Sequence, residues 1–331
     1  MAIISALTCV LPKNYIENDY FKKYFDKDYI KKATRLIGVN DRYWAGDDTT
    51  LSMCVSAAEN LFKEYASKNG NENIRSKIDL LVFITQTPKS LIPGIAYQAH
   101  DKLNLDKNCR CISINAGCTA YVDGITIIFD LLKSQKYKKA LLLVGDTLSK
   151  YLDIKDFSTS VVFGDAGSAT LIENKVKNTK SIFLNQTFPN SSDALGLKLG
   201  NELNDNLLKM NGTQVFNFAI GSLPKMISKS IDLWNEKYLE APSIDHYLFH
   251  QANSMIIDHV KKKLKLDNSN VPINIDKYGN TSGVTVPLLL CSMSFEEKNK
   301  ILLICGFGSG LASSIMITDA FQLEFAKVVY L

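Results

Sequence analysis

The chain has 331 residues, 46% of them hydrophobic, and a mean hydropathy of −0.02, which is more than one core usually grows to and predicts two domains or two fused halves of a soluble protein. A net charge of +4, with no basic block interleaved with aromatics, gives no ground for a nucleic-acid partner. Seven cysteines at irregular spacing are not a disulfide framework, and Cys109-x-Cys111 is one residue too short for a CxxC redox or zinc pair.

The apolar run 1–11 lacks a basic leader and meets Pro12-Lys13 at once, so it reads as a core strand and the cytosol as the compartment. No stretch approaches membrane-spanning length. Residues 14–34, rich in Lys, Asp and Tyr, predict a charged surface helix, and 52–66 a helix by periodicity. Residues 78–85 predict a strand covered on both faces, 93–103 a helix, and 140–145 a buried strand. Segments 160–163 and 168–173 predict a hairpin about Gly164-Asp165-Ala166-Gly167. The polar stretch 174–210 reads as a connection with a loose hairpin, and 216–234 as a helix.

Between these lies a buried strand, Cys109-Arg110-Cys111-Ile112-Ser113-Ile114, then a Gly117-Cys118-Thr119 turn, then a helix over 121–135 with Ile125, Ile128, Leu131 and Leu132 on one stripe. A thiol at a helix N-terminus meets unpaired N–H groups and the positive end of the macrodipole, which predicts a lowered pKa. The same N–H groups can hold an oxyanion on a thioester carbonyl. A lone cysteine there is more often a small buried residue closing a turn.

The second half repeats the first at nearly constant separation. Residues 78–83 resemble 244–249, Gly117-Cys118-Thr119 aligns with Gly279-Asn280-Thr281, each after an apolar strand, and 141–145 align with 302–306. Two similar α/β halves, 1–175 and 176–331, related by a pseudo-twofold axis, follow from this. Ligands of open α/β sheets bind beyond the carboxyl ends of strands. Cys118, Asn280 and His250 therefore converge. Taken singly, His250 is a core histidine, Asn280 a turn residue, and Gly306–Gly310 a tight turn that matches neither a P-loop nor a dinucleotide fingerprint.

The convergence, with Phe163-Gly164-Asp165, Met210-x-Gly212-x-x-Val215-Phe216, His250-Gln251-Ala252-Asn253, Gly279-Asn280-Thr281-Ser282 and Gly306-Phe307-Gly308-Ser309-Gly310, resembles the β-ketoacyl-ACP synthase III family over essentially the whole chain. The resemblance implies a thiolase-like fold, α-β-α-β-α in layers, and a homodimer. It implies acyl transfer to Cys118, an oxyanion hole from the backbone N–H groups of Cys118 and Ser309, and malonyl decarboxylation assisted by His250 and Asn280. The partners it implies are acyl-CoA or acyl-ACP, malonyl-ACP and the acyl carrier protein itself, with no metal and no dissociable cofactor. Ile92, Phe163, Gly212, Phe216, Phe307 and Gly308 would line the substrate pocket. Gln251, Lys262 and Lys263 would face the carrier, although Lys261, Lys262, Lys263 and Lys265 are also what a solvated helix face looks like.

The chain departs from relatives that use acetyl-CoA. Tyr29, Lys31, Lys32 and Arg35 precede Gly38-Val39-Asn40-Asp41-Arg42 with no Trp among them, Met255 stands where an Arg is frequent, and Ile92 replaces a Phe at the expected gate. Primary fatty-acid initiation and a specialised pathway both remain open. Two other functions compete: an acyltransferase on the same fold passing the acyl group to an amine or hydroxyl, and a silent partner subunit. Release of CO₂ from malonyl-ACP excludes the first, and acyl labelling of Cys118 the second.

Overall fold

The computed structural model of the chain describes residues 2–175, 178–198, 200, 206–238, 243–294 and 300–331. Two sheets carry the fold. The first contains β1 (Ala2–Leu11), β2 (Leu80–Ile84), β3 (Arg110–Ile114), β4 (Lys139–Asp146) and β5 (Ala166–Asn174). The second contains β6 (Ser181–Thr187), β7 (His246–Phe249), β8 (Leu302–Gly308) and β9 (Ala312–Thr318); β10 (Phe321–Tyr330) returns to the first. The spatial orders are β10-β1-β5-β4-β2-β3 and β7-β8-β9-β6.

The two orders are copies of one another. In the first sheet β2 lies parallel to β4, β4 antiparallel to β5 and β5 antiparallel to β1. In the second, β7 lies parallel to β8, β8 antiparallel to β9 and β9 antiparallel to β6. Among the described residues no strand of the second sheet corresponds to β3. Residues 271–274 carry no ladder, and the single helical turn Ile275–Tyr278 leads into Asn280. The apolar strand expected before Gly279 is therefore absent.

Five layers result. The helices Ala120–Lys133 and Thr285–Ser292 contribute Ile125, Ile128, Leu288 and Leu289 to one core with Val82, Leu142, Leu248 and Ile304, so they lie between the sheets. Gly124 lets the first helix approach closely: a methyl there would sit 2.7 Å from Leu142 Cδ1 and 2.9 Å from Ile84 Cδ1. On the outer face of the first sheet pack Thr50–Lys68, whose Thr49 and Ser52 form a reciprocal capping box, and Ile95–Lys102. Gly212–Lys237 and Ser254–Leu264 cover the outer face of the second sheet. This is the layered α/β thiolase-like architecture.

Several local expectations change. Residues 14–34 hold a strand, Asn14–Glu17, and a 3-10 turn before the helix Lys27–Ile37, which Asp26 caps. The hairpin about Gly164 does not form. Ala166–Asn174 pairs with β1 and β4 instead, and Phe163 bridges to Asn280. Part of 174–210 lies outside the described residues; within the rest, β6 is a full edge strand of the second sheet, paired along its length with β9, and Leu195–Leu197 pairs with Leu208–Met210. β3 is half-exposed at a sheet edge rather than buried.

Candidate active site

The two central helices begin side by side, and their N-terminal turns carry Cys118 and Asn280. Their approach depends on Gly283, where a methyl would meet Val144 Cγ1 at 2.8 Å, Ala120 Cβ at 2.9 Å and Gly117 O at 3.0 Å. The end of β8 closes over the same turn. A methyl on Gly306 would sit 2.8 Å from Cys118 O, and one on Gly308 2.7 Å from Cys118 Sγ. These glycines are needed for close approach, not for a phosphate.

Asn280 is held by its backbone: its N–H donates to Val162 O at 2.9 Å, and Gly164 N–H donates to Asn280 O at 3.1 Å. Its side-chain Oδ1 accepts from Ser282 N–H at 2.9 Å, and Ser282 adopts φ of 53° to make that turn. The Asn280 Nδ2 donor has no partner among the described residues. The Phe163-Gly164-Asp165 motif thus serves the site through its backbone. Asp165 anchors the motif by accepting from Ala45 N–H at 2.8 Å and Ser149 N–H at 3.0 Å, and burial pushes its carboxyl up to about 6.

His250 follows β7, with its N–H donating to Cys305 O at 2.8 Å. Its Nδ1 lies 2.7 Å from Thr285 Oγ1, and Thr285 Oγ1 lies 3.2 Å from Ser282 O. The imidazole is 1% exposed and packs edge-on to Phe307, 5.2 Å between centroids. Burial lowers its pKa to about 3, against a small opposing effect of the Ser282 carbonyl. Burial thus favours the neutral imidazole, and its Nε2 has no partner among the described residues.

Cys118 is 8% exposed, and its pKa runs opposite to the sequence expectation. Burial, followed by the nearby Asp146 carboxylate, pushes the thiol up to about 12. The Ser282 hydroxyl and the backbone N–H groups of Ser309 and of Cys118 itself pull the other way and do not win. The helix terminus is present, but desolvation of a buried charge outweighs it. Those two N–H groups approach the sulfur from the residue after β8 and from the thiol's own turn.

Asp146, at the end of β4, is the buried carboxylate beside the thiol. It accepts from Gln86 N–H at 2.8 Å, Thr85 Oγ1 at 2.9 Å and Thr87 Oγ1 at 3.1 Å, and burial raises its pKa. Sequence reading missed Asp146, Gln86 and Thr285, and named Ser282 only as part of the Asn280 motif. Thr285 stands five residues from Asn280, close enough to have been considered with it.

Two cavities meet at Cys118. One, of about 230 Å³, is lined by His250, Asn280, Phe307, Gly308, Gly212 and Met210. The other, of about 240 Å³, is lined by Gln86, Leu148, Leu197, Leu208, Ser282 and Ser309. Cys118, Phe163 and Leu195 belong to both. Of the expected pocket residues, Phe163, Gly212, Phe307 and Gly308 line a cavity. Phe216 does not; it lies one face round the helix and packs in the outer core. Ile92 is 89% exposed and lines neither cavity of its own chain, while its neighbour Leu91 does.

Gln251 is not a surface residue. It is 1% exposed, donates Nε2–H to Phe249 O at 2.7 Å and accepts from Asn274 N–H at 3.2 Å, so it braces the His250 loop and cannot face a carrier. Asn253 caps the next helix by accepting from Ile256 N–H at 2.9 Å. Lys262 and Lys263 are exposed on that helix. No helix among the described residues is long and apolar enough to cross a membrane.

Comparison with known proteins agrees with this geometry. The family model for 3-oxoacyl-[acyl-carrier-protein] synthase III matches residues 112–190, and that for its C-terminal part matches 235–319. The chain is 32% identical to the β-ketoacyl-[acyl-carrier-protein] synthase III of Streptococcus agalactiae (strain NEM316), covering 96% of this chain and 98% of that protein. It is 30% identical to the enzyme of that name from Clostridium botulinum (strain 657), covering 91% and 93%. The crystal structure of a 3-oxoacyl-(acyl-carrier protein) synthase from Burkholderia xenovorans superposes with a TM-score of 0.91 at 30% identity, covering 100% of this chain and 97% of that one. A thiol between paired N–H groups, a neutral histidine and an asparagine on one fold, matched over nearly the whole length, place the chain in the β-ketoacyl-[acyl-carrier-protein] synthase III family of condensing acyltransferases.

Proposed function

We propose that Cys118 carries the acyl group between two half-reactions, with the Gln86-lined cavity holding the acyl chain and the His250-lined cavity admitting the malonyl carrier. The observation that carries this is the meeting of two cavities at one thiol, with His250 and Asn280 on only one of them. In the first step the Cys118 sulfur attacks the donor thioester. The carrier's carbon–sulfur bond breaks, and the thiol proton leaves with the carrier. The N–H groups of Cys118 and Ser309 stabilise the tetrahedral oxyanion.

In the second step the bond between the malonyl carboxylate and its α-carbon breaks, CO₂ leaves, and the electron pair becomes an enolate. His250 Nε2–H and Asn280 Nδ2–H donate to the enolate oxygen, stabilising it more than the ground-state carbonyl. An Nε2–H tautomer requires the Thr285 hydroxyl, 2.7 Å from Nδ1, to give its single proton to that nitrogen rather than to Ser282 O at 3.2 Å. The enolate carbon then attacks acyl-Cys118, the thioester breaks, a 3-ketoacyl-ACP departs, and the Cys118 thiolate left behind takes up a proton from solvent.

The halves 1–175 and 176–331 each supply one central helix terminus to this site. Primer on CoA or ACP, malonyl-ACP as extender, the cytosol and a homodimer complete the reading. Support for the dimer is the unpaired edge of β3, with Leu91 73% and Ile92 89% exposed nearby, since an apolar edge left open invites pairing. Support for carrier docking is the exposed pair Lys262 and Lys263, which suits an acidic partner. Incubation with acyl-CoA and acyl-ACP donors, followed by intact mass and CO₂ release from malonyl-ACP, tests the function. Acylation of Cys118 together with CO₂ release is expected; acylation without CO₂ release contradicts it.

A further inference from the structure

The wall of the Gln86-lined cavity is polar where it meets the thiol. Gln86 Nε2–H donates to Ser309 Oγ at 3.1 Å, and both side chains line the cavity beside Cys118. The pair occupies space that only a glycine before the nucleophile leaves free. A methyl on Gly117 would sit 2.1 Å from Gln86 Oε1 and 2.9 Å from Ser309 Oγ. The Gln86 backbone is fixed in turn, its N–H donating to Asp146 at 2.8 Å.

Two further polar groups stand at the same end. Ser282 is fully buried and lines the cavity, its hydroxyl turned toward Cys118 and Asp146. Asn115, three residues before Cys118, also lines the cavity. Leu148, Leu195, Leu197 and Leu208 make much of the remaining wall apolar, with Tyr151 beside them.

A plain alkanoyl chain would bury its first carbons against these groups and leave them unanswered, which is costly for a buried donor or acceptor. A hydroxyl answers both needs. With Nε2 used on Ser309, Gln86 keeps an acceptor in Oε1, while Ser309 keeps a hydroxyl proton to donate. We propose that the primer is a short hydroxyacyl group, with its hydroxyl within a few carbons of the thioester carbonyl. This rests on the acyl chain occupying the Gln86-lined cavity, as proposed above.

The test is a competition between butyryl thioester and a mixture of 3- and 4-hydroxybutyryl thioesters, presented on CoA and on holo-acyl carrier protein. Intact mass reads both adducts at Cys118 at once, because they differ by one oxygen atom. A preference for hydroxybutyryl of about tenfold or more is expected, the worth of one or two net hydrogen bonds. Gln86→Leu and Ser309→Gly should each bring the ratio close to parity; the second keeps the backbone N–H, so it serves if the first does not fold. Equal labelling by wild type, or a preference for butyryl, overturns the inference while leaving the two-step function standing. A hydroxyl preference that survives both substitutions overturns the assignment to this pair. No labelling by any thioester overturns the proposed function, and this inference with it.

Discussion

Gly308 approaches the Cys118 sulfur so closely that a methyl on its α-carbon would lie 2.7 Å from it. No side chain fits there without moving the thiol or the strand end that carries Ser309. Gly308→Ala should therefore separate the sulfur from the Ser309 N–H and slow acylation by about 10² to 10³-fold, the usual cost of one lost oxyanion donor. Overpacking should destabilise the fold by only about 1–3 kcal/mol. Intact-mass acylation rates and a urea titration read the two effects separately.

The raised pKa of Cys118 has a direct kinetic consequence. With the thiol pushed up to about 12, the thiolate fraction rises about tenfold for each pH unit below that value. Alkylation of Cys118 by iodoacetamide should accelerate about tenfold per pH unit, about a hundredfold from pH 7 to pH 9, without levelling off. A plateau near neutrality would show that the helix terminus outweighs desolvation.

His250 gives a prediction of opposite character. Its folded-state pKa of about 3 lies below the ordinary value of about 6.5. Below pH 6.5 the unfolded chain binds a proton that the folded chain refuses, so stability is fully present above that pH and is lost as pH falls toward 3. Between pH 7 and pH 5 this one group should remove about 2 kcal/mol. The loss should be missing from His250→Gln when urea midpoints are compared. Decarboxylation should show no acid limb near 6.5, because the ring is neutral throughout.

Thr285 Oγ1 lies 2.7 Å from His250 Nδ1 and orients the ring. Thr285→Val removes that hydroxyl and should lower malonyl decarboxylation by about 10 to 100-fold, as loss of an orienting partner typically does. Acylation of Cys118 should be nearly unchanged, since His250 lines only the other cavity. Loss of both half-reactions together would mean that Thr285 only supports the fold. Thr285→Ser should restore decarboxylation.

Much of this was legible in the chain itself. The repeat relating 78–83 to 244–249 and 141–145 to 302–306 corresponds to β2 with β7 and β4 with β8, which occupy equivalent places in the two sheets. From it Cys118, His250 and Asn280 could be brought together before any coordinates. What failed depended on three-dimensional surroundings. The thiol's pKa turns on burial and on Asp146, which is distant in sequence; Gln251 looked polar and exposed yet is bonded on both sides inside the His250 loop. Phe163 and Gly164 suggested a hairpin because their true partner, Asn280, is more than a hundred residues away. The polar pair of Gln86 and Ser309 left no local pattern, since each residue alone is ordinary.

The most direct test of the two-step assignment is Asn280→Ala assayed for each half-reaction on the same preparation. Asn280 is assigned to the enolate oxygen, which exists only after malonyl enters, and it lines the His250 cavity and not the other. Acylation of Cys118 should proceed at close to the wild-type rate by intact mass. CO₂ release from malonyl-ACP should fall by about 10² to 10³-fold. Equal loss of acylation and decarboxylation would contradict the assignment, because Asn280 would then be holding the site together rather than stabilising the enolate.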